Sequence, residues 1–234
     1  MTLKTHLRGI KRKIQSWIRQ LLYRLRYGAL GKYIIYAQEI PGWSTNREMF
    51  ALARASYQLP ANAVIVEIGS FLGRSSVLLA GARKVRGSGK LHCVDPFDAS
   101  GDDVSVPIYQ DIISAKPMSQ RQQFDQNLQR AGVTSWVDVH KGTAETVGLH
   151  WQQPIDLLFL DGDQSPQGVR SAYELWSPWL KVGGLLVVHN SADRDYVEGH
   201  DGHRRLVVET IHPPEYEDVT SVTGITFARK ALKK

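Results

Sequence analysis

The sequence predicts an α/β fold in which a mostly parallel sheet is covered by helices on both faces. Three observations predict it. Short apolar runs of strand-like composition alternate with helical stretches from about residue 60 to about residue 190. The chain then closes with two β-rich runs joined by a short turn, which indicates an antiparallel hairpin at the sheet edge. The N-terminal residues carry an apolar side chain at every third or fourth position, which is the period of an amphipathic helix.

The N-terminal helix combines this apolar period with a strong positive charge. Residues 1–27 contain eight lysines and arginines and no acid, whereas the whole chain carries a net charge of +6, so the remainder is mildly acidic. Because the basic charge is confined to one segment, we expect no nucleic-acid-binding domain. Residues 3–27 either pack on the chain's own domain or on a partner subunit of a homo-oligomer, or they lie on an anionic membrane as a peripheral helix. The apolar positions are Leu3, Leu7, Ile10, Ile14, Trp17, Leu21 and Leu25.

Length and composition indicate one substantial core with an appendage. The chain has 234 residues, of which 42% are hydrophobic. We divide it into a basic helical arm, 1–40, and a main domain, 41–234. The single cysteine, Cys93, excludes an internal disulfide and suits a reducing compartment. No apolar run is long enough to span a membrane and no signal-peptide core is present, so we expect a cytoplasmic protein, with peripheral membrane contact as the alternative.

The main domain is predicted to begin with a helix that Ser44 caps and that runs to about Tyr57, before Leu59-Pro60 ends it. The predicted strands that follow are Ala63 to Glu67, Lys90 to Val94, Trp136 to His140, Ile155 to Leu160 and Leu185 to Val188. The helices between them are predicted at about 74–83, 118–131, 143–149 and 166–180. The closing hairpin is predicted from Tyr216 to Ser221 and from Ile225 to Ala228.

The first of these strands ends in a glycine turn that is suited to a ligand. The motif is EIGSFLGRSS, residues 67–76. We expect Gly69 to turn the chain where a β-carbon would collide with a ligand. Ser75 and Ser76 are placed to cap the next helix or to donate to a carboxylate held at its N-terminus. Phe71 stands where a dinucleotide fingerprint has its second glycine, so a pyrophosphate would meet a bulky side chain.

A carboxylate ends the second predicted strand. Asp95 lies 22 residues after Gly73. In nucleoside-binding folds an acid at this position accepts hydrogen bonds from the ribose hydroxyls. Because the carboxyl ends of neighbouring parallel strands meet at one edge of a sheet, the glycine turn and this carboxylate together predict a nucleoside site.

Five motifs follow one another along the chain: VEIGSFLGRSS (66–76), HCVDPF (92–97), VHKGTAE (139–145), FLDGDQS (159–165) and WLKVGGLLVVHN (179–190). In these motifs the sequence resembles the class I S-adenosylmethionine-dependent methyltransferases, and within them the family 24 group, which includes O-methyltransferases of macrolide sugars. The resemblance implies a Rossmann-like, doubly wound sheet of seven strands with one strand reversed. It also implies that S-adenosyl-L-methionine is the cofactor and that a small-molecule acceptor, such as a sugar, a phenol or a natural product, is methylated on oxygen.

The resemblance further implies where each part of the cofactor lies. The methionine part would lie along the glycine turn, the ribose at Asp95, the adenine beside Gly142 and Thr143, and the sulfonium near Asp161. In chain order, the cofactor-binding residues that we predict are Glu67, Gly69, Ser70, Gly73, Ser75, Ser76, Asp95, Gly142, Thr143 and Asp161.

Two further strand ends are predicted to carry the chemistry. An alcohol acceptor must lose its proton, which requires a base or a metal ion that lowers its pKa. His189 is the candidate base, with Asp161 and Asp163 as candidate catalytic carboxylates, although Asp163 could instead cap the helix that begins near Ser165. Alternatively, as the resemblance to catechol O-methyltransferase implies, Asp161, His189 and Asn190 would bind Mg²⁺ or another divalent cation. With a single carboxylate, the affinity of this set for Mg²⁺ should be low.

The acceptor site is predicted only in outline. Residues 98–116 form a long connection of the kind that covers a cleft as a lid, and Trp43 and Tyr109 are candidate acceptor contacts. A polar loop is expected to be solvated and contains Asp193, Asp195, His200, Asp201 and His203. Two other functions stay open. One is a non-catalytic scaffold of the same fold, and the other is a nicotinamide-dependent oxidoreductase, against which the bulk of Phe71 counts.

Overall fold

A computed structural model describes residues 3–192 and 196–232, without the side chains of residues 3–9 and 12. The strands in this part of the chain are β1 (Val64–Ile68), β2 (Lys90–Asp95), β3 (Val137–Lys141), β4 (Ile155–Leu160), β5 (Leu180–Val188), β6 (Tyr216–Val222) and β7 (Ile225–Lys230). They form one sheet in the order β3-β2-β1-β4-β5-β7-β6. The pairs among β1 to β5 are parallel, and β7 runs antiparallel to both β5 and β6. The predicted fold is therefore confirmed.

Helices cover both faces of the sheet. They are α1 (Leu3–Tyr27), α2 (Gly31–Gln38), α3 (Asn46–Gln58), α4 (Arg74–Arg86), α5 (Ser105–Ser114), α6 (Gln120–Ala131), α7 (Ala144–Gly148), α8 (Pro166–Trp176) and α9 (Gly202–Thr210). Successive strand residues point to opposite faces, so Ile65 and Phe159 join a core with α2, α3, α4 and α6, whereas Val66 and Leu158 join a second core with α8 and α9. This two-sided burial is why the central strands are predominantly apolar.

Some predicted boundaries are wrong. Thr45, not Ser44, caps α3, because its hydroxyl accepts from the Glu48 amide while the Glu48 carboxylate accepts from the Thr45 amide in a capping box. The connection 98–116 contains the helix α5, which the sequence analysis did not predict. His203 is not in a solvated loop: it lies on α9 and is only 1% exposed. Asp193 and Asp195 lie outside the described residues.

The segment between α1 and α3 belongs to the main core. On α2, Tyr33, Ile34 and Ala37 are fully buried, and the Tyr33 ring lies so close to Gly81 of α4 that a β-carbon there would be 2.4 Å from it. Burial thus favours a domain boundary near the end of α1, and the division at residue 40 stays a prediction. Among the described residues, no helix is long and apolar enough to cross a membrane.

Candidate active site

The turn after β1 brings that strand close to the end of β4. Gly69 has φ +86°, and a β-carbon on it would lie 2.4 Å from the carbonyl oxygen of Asp161. The neighbouring backbone alone therefore requires a glycine here, and the contact of Gly69 with a ligand stays a prediction. Phe71 also adopts a left-handed conformation, with φ 47°. Strained residues of this kind persist only where their surroundings hold them, and they are concentrated at functional sites.

A buried carboxylate lies behind this turn. Glu67 is fully buried, and its Oε2 accepts hydrogen bonds from the hydroxyls of Ser70 at 2.8 Å and Ser76 at 2.5 Å and from the Cys93 thiol at 3.2 Å. Ser75 also donates to it, and burial raises its pKa. Ser75 and Ser76 thus hold a carboxylate at the start of α4, and that carboxylate comes from Glu67 itself. Its Oε1 has no hydrogen-bond partner among the described residues.

Asp95 lies at the predicted position but already has four hydrogen-bond donors. Its Oδ2 accepts from the amides of Ser70 at 2.9 Å and Phe71 at 2.8 Å. Its Oδ1 accepts from the Phe97 amide at 2.7 Å and from Gln120 Nε2 at 3.2 Å. A carboxylate has about four acceptor positions, so a ribose hydroxyl must replace one of these donors. Burial is the main cause that raises the pKa of Asp95, and the backbone hydrogen bonds oppose it.

A first cavity opens at the carboxyl ends of β1, β2 and β4. Its volume is about 280 Å³. Asp95, Gly142 and Thr143 line one end, and Asp161 lies at the boundary with a second cavity. We call this space the donor cavity. It brings together the predicted ribose, adenine and sulfonium positions, whereas Glu67 and Ser76 are behind its wall.

A second cavity of about 290 Å³ adjoins the first. We call it the acceptor cavity. The two cavities share Gly69, Phe71, Tyr109 and Asp161. Three aromatic rings form a wall of the acceptor cavity: the ring centroids of Phe71 and Tyr109 are 4.7 Å apart, and those of Trp43 and Tyr109 are 5.6 Å apart. Tyr109 lies on α5, so the connection that we expected as a lid does lie over the cleft. Burial raises the pKa of Tyr109 to about 12, which keeps its hydroxyl neutral.

Asp161 and His189 form a pair where the cavities meet. The Nδ1 of His189 lies 2.7 Å from Asp161 Oδ1, and the imidazole is 5% exposed. Since a carboxylate oxygen accepts, the imidazole carries a proton on Nδ1, so that Nε2 is the basic nitrogen whenever His189 is neutral. Asp161 borders both cavities, whereas His189 borders only the acceptor cavity. This is the arrangement of a base that a carboxylate orients.

Asp163 has a mainly structural environment. Its Oδ1 accepts from the Ser165 amide at 2.8 Å, and Ser165 in turn caps α8. A β-carbon on Gly168 would lie 2.4 Å from the Asp163 carboxylate, so that carboxylate packs against the first turn of α8. The helix-capping interpretation is favoured, although Asp163 also borders the donor cavity. Its catalytic role stays a prediction.

Two further histidines lie beside the site. His200 Nδ1 is 2.9 Å from the buried Asp102 carboxylate, which ties the segment before α9 to the start of α5. His203 borders the donor cavity and forms a hydrogen bond with the His189 backbone. Burial lowers the pKa of His203 to about 3, so it is neutral at physiological pH.

A comparison of the chain with models of protein families shows the family to which it belongs. The model of methyltransferase family 24, described as a methyltransferase domain, matches residues 66–191, which is just over half of the chain and spans the carboxyl ends of all five strands at the site, β1 to β5. The chain belongs to this methyltransferase family. The predicted family and enzyme class are thereby confirmed.

Solved structures with the same fold match this methyltransferase over most of its length. The O-methyltransferase TomG of Streptomyces achromogenes, involved in tomaymycin synthesis and solved with S-adenosylmethionine, has a TM-score of 0.59 at 21% identity, over 87% of this chain and 89% of its own. Cofactor-bound Rv0187 from MTB has a TM-score of 0.60 at 21% identity, covering 90% and 94%. An O-methyltransferase of Bacillus cereus in complex with S-adenosylhomocysteine gives 0.55 at 19% identity, covering 86% and 90%. At these identities the likeness shows the fold alone.

The predicted metal site does not fit the donor set of this methyltransferase. Asp161 Oδ1 is occupied by the His189 imidazole, and Asn190 Nδ2 donates to Gln164 Oε1 at 3.0 Å. Mg²⁺ prefers several oxygen ligands with carboxylate charge, and these residues offer one carboxylate. In the part of the chain that is described, no group of three or more His, Cys, Asp and Glu side chains could hold a metal ion. We derive no step through a metal.

The sequence analysis missed several residues of the methyltransferase site. Gln120 borders the donor cavity while its Nε2 donates to Asp95, and Glu145 borders the same cavity. Gln120 is the first residue of α6 and stands in no motif, so only the long-range contact reveals it. Glu145 lies two residues after the predicted adenine residue Thr143, and that proximity was a usable signal.

Proposed function

We propose that this methyltransferase transfers the methyl group of S-adenosylmethionine to a hydroxyl oxygen of a small, ring-shaped acceptor. The observation that carries the proposal is the hydrogen-bonded pair of Asp161 and His189 at the boundary of two cavities. One cavity has the residues expected around a nucleoside, and the other has an aromatic wall. A base that borders only the second cavity is suited to deprotonate an acceptor, not the donor.

The donor cavity is suited to the nucleoside part of the cofactor. A ribose hydroxyl replaces one donor of Asp95, and the adenine lies beside Gly142 and Thr143. When bound, S-adenosylmethionine supplies an electrophilic methyl group on a positively charged sulfur. Asp161 borders both cavities, so its carboxylate lies where that positive charge is stabilised.

The acceptor cavity is suited to holding a hydroxyl in line with the methyl group. The rings of Trp43, Phe71 and Tyr109 are tilted against one another by 33° to 51° and provide apolar faces against which a phenol or a sugar ring can stack. His189 Nε2 takes the hydroxyl proton while Asp161 fixes the orientation of the imidazole and stabilises its charged form. Alignment of nucleophile, methyl carbon and sulfur supplies much of the remaining rate enhancement.

Calorimetric titration with S-adenosylhomocysteine tests the donor site. We expect the wild-type chain to bind, and Asp95→Ala to weaken binding about tenfold or more, because a lost hydrogen bond to a charged group costs about 1.5–3 kcal/mol. His189→Ala is the matched control and should bind normally, because His189 borders only the acceptor cavity. Binding of NADH in place of S-adenosylhomocysteine would refute the donor assignment.

An acceptor screen with a labelled methyl donor tests the chemistry. Once an acceptor is found, we expect His189→Ala to lower kcat by a factor of about 10²–10⁴, which is the usual contribution of a general base. A chelator should leave the rate unchanged. If turnover survives His189→Ala but is lost on chelation, a metal ion and not His189 activates the acceptor hydroxyl. If S-adenosylhomocysteine binds but no acceptor in a broad screen is methylated, the non-catalytic scaffold becomes the better interpretation.

A further inference from the structure

The helix α1 contacts the rest of the protein through one narrow face. Between residues 10 and 27, Arg19, Tyr23 and Tyr27 are the described side chains that are not exposed, and they are spaced four residues apart. Arg19 and Tyr23 both form hydrogen bonds with the Gln38 side chain, and the Tyr27 ring is 4.9 Å from that of Phe50. Residues four apart share a helix face, so these contacts fix which side of α1 points toward the domain.

The apolar stripe of α1 points away from the domain. At 3.6 residues per turn, its members lie about half a turn from Tyr23. Trp17 is 64% exposed and Leu25 is 75% exposed. This stripe and the adjacent Ile18 form what we call the outer row. Its described members are all exposed: Ile10, Ile14, Trp17, Ile18, Leu21 and Leu25. The chain's own domain therefore does not cover the stripe, and the partner subunit and the membrane are the two alternatives that are left.

The charge around the outer row identifies what can cover it. Lys13 and Arg24 are exposed along one side of the row, and Lys11 is exposed along the other. Residues 1–27 contain eight basic residues and no acidic one. A partner surface must therefore be both anionic and able to accept apolar side chains, including an indole. The interface of an anionic lipid bilayer has both properties, and tryptophan is favoured at that depth.

On a second copy of the chain, neither α1 nor the groove beside it provides such a surface. Pairing two α1 helices along the outer row would bring two segments of eight basic residues together with no counter-charge. A groove of about 1070 Å³ beside the end of α1 is also lined by cations, namely Arg26, Arg47, Arg54, Lys181 and Arg229, with only Asp156 and Asp218 as acids. Nucleic acid would neutralise the cations but leave the apolar row exposed to water.

We propose that α1 lies flat on an anionic membrane surface, with its outer row inserted among the lipids and its basic flanks against the headgroups. The enzyme is then held at the membrane by the face of α1 opposite to Tyr23, with the body of the protein on the solvent side. This proposal does not depend on the reaction that the site catalyses.

Vesicle flotation with the full chain tests the proposal. We compare vesicles of phosphatidylcholine alone with vesicles of phosphatidylcholine and phosphatidylglycerol. The wild-type chain should float with the mixed vesicles, and salt should weaken binding because the headgroup contribution is electrostatic. Replacing two outer-row side chains, Ile14→Gln with Trp17→Gln, should weaken binding at least about tenfold. Replacing two flanking cations, Lys13→Glu with Arg24→Glu, should abolish the preference for the anionic lipid.

A matched control separates the outer row from general surface hydrophobicity. Leu149→Gln with Val208→Gln removes two side chains that are 73% and 63% exposed elsewhere on the protein, and should leave binding within about twofold of wild type. Every variant should still bind S-adenosylhomocysteine, which reports the fold. The proposal is overturned if the wild-type chain does not float, or if it floats equally well without Ile14 and Trp17. It is also overturned if sedimentation shows a dimer that the outer-row variant dissociates, or if duplex DNA is bound in preference to the vesicles.

Discussion

His203 should make this methyltransferase sensitive to acid. The side chain is 1% exposed on α9, and its Nδ1 has no hydrogen-bond partner among the described residues. Burial is the main cause that lowers its pKa to about 3, and the nearby His189 adds to the effect. A histidine with a lowered pKa favours folding while it is neutral. Its contribution is complete above the unfolded pKa of about 6.5 and is lost as the pH falls toward the folded value.

The size of the loss follows from the two pKa values. Between about pH 7.5 and about pH 5, the histidine of the unfolded chain takes up a proton, whereas the folded one, with a pKa of about 3, does not. Integrated over this range, the difference lowers the free energy of unfolding by about 2 kcal/mol. At its steepest, the free energy of unfolding falls by about 1.4 kcal/mol per pH unit, which is the slope for the uptake of one proton.

Urea unfolding at both pH values measures this loss. The variant His203→Gln keeps an amide donor for the His189 backbone but does not titrate, so its stability should fall by about 2 kcal/mol less than that of the wild type. His212→Gln is the control, because His212 is exposed and hydrogen bonds to the Pro213 and Glu209 carbonyls raise its pKa. A raised pKa has the opposite sign, so removing His212 cannot reduce the acid sensitivity. If His203→Gln loses as much stability as the wild type, the buried neutral histidine is not the cause.

Three further substitutions give separate tests. Asp161→Asn should leave S-adenosylhomocysteine affinity within about threefold by calorimetry but lower kcat about 100-fold, because the imidazole loses its orienting carboxylate. Gly69→Ala should cost about 3 kcal/mol or more in urea unfolding, since its β-carbon meets the Asp161 carbonyl, whereas Gly87→Ala, with φ +81° in open space, should cost only about 1–2 kcal/mol. Asp102→Asn weakens the hydrogen bond to His200 that holds the start of α5 in place over the acceptor cavity. It should raise the acceptor KM about tenfold in the turnover assay without changing donor affinity.

The central strands were predictable because their burial is two-sided. β4 was predicted with its observed bounds, and β1 was displaced by one residue. β5 begins at Leu180, five residues before its predicted start, and its first half contains Gly183 and Gly184, with the residues from Lys181 to Gly183 exposed. The pairing of β4 and β5 also shifts register between Ile155 and Leu157. An irregular, exposed half-strand has no apolar period, so the sequence contains no signal for it.

The sequence predicts which residues lie at the site but not which hydrogen bonds they form there. The motifs placed Asp95, Asp161 and His189 at neighbouring strand ends, and parallel pairing brings such ends to one edge. Which N–H groups donate to each carboxylate depends on how closely distant segments of the backbone approach it. The local sequence does not encode that approach. The helix α5 was missed for a similar reason. Ile108 on this helix and Val104 just before it are both exposed, so burial gives the segment no helical pattern.

The contacts of Asp95 give that residue two roles that compete. Its carboxylate binds the amides of Phe71 and Phe97, and both residues have a left-handed backbone, with φ 47° and 56°. Asp95 therefore holds two strained turns in place, which preorganises the walls of the donor cavity. A ribose hydroxyl must displace a donor without releasing either turn. The longest of its four hydrogen bonds is the one from Gln120 Nε2, at 3.2 Å, and this is the only one of the four donors that is a side chain and not a backbone amide. Gln120 is thus the donor that a ribose replaces at the lowest cost.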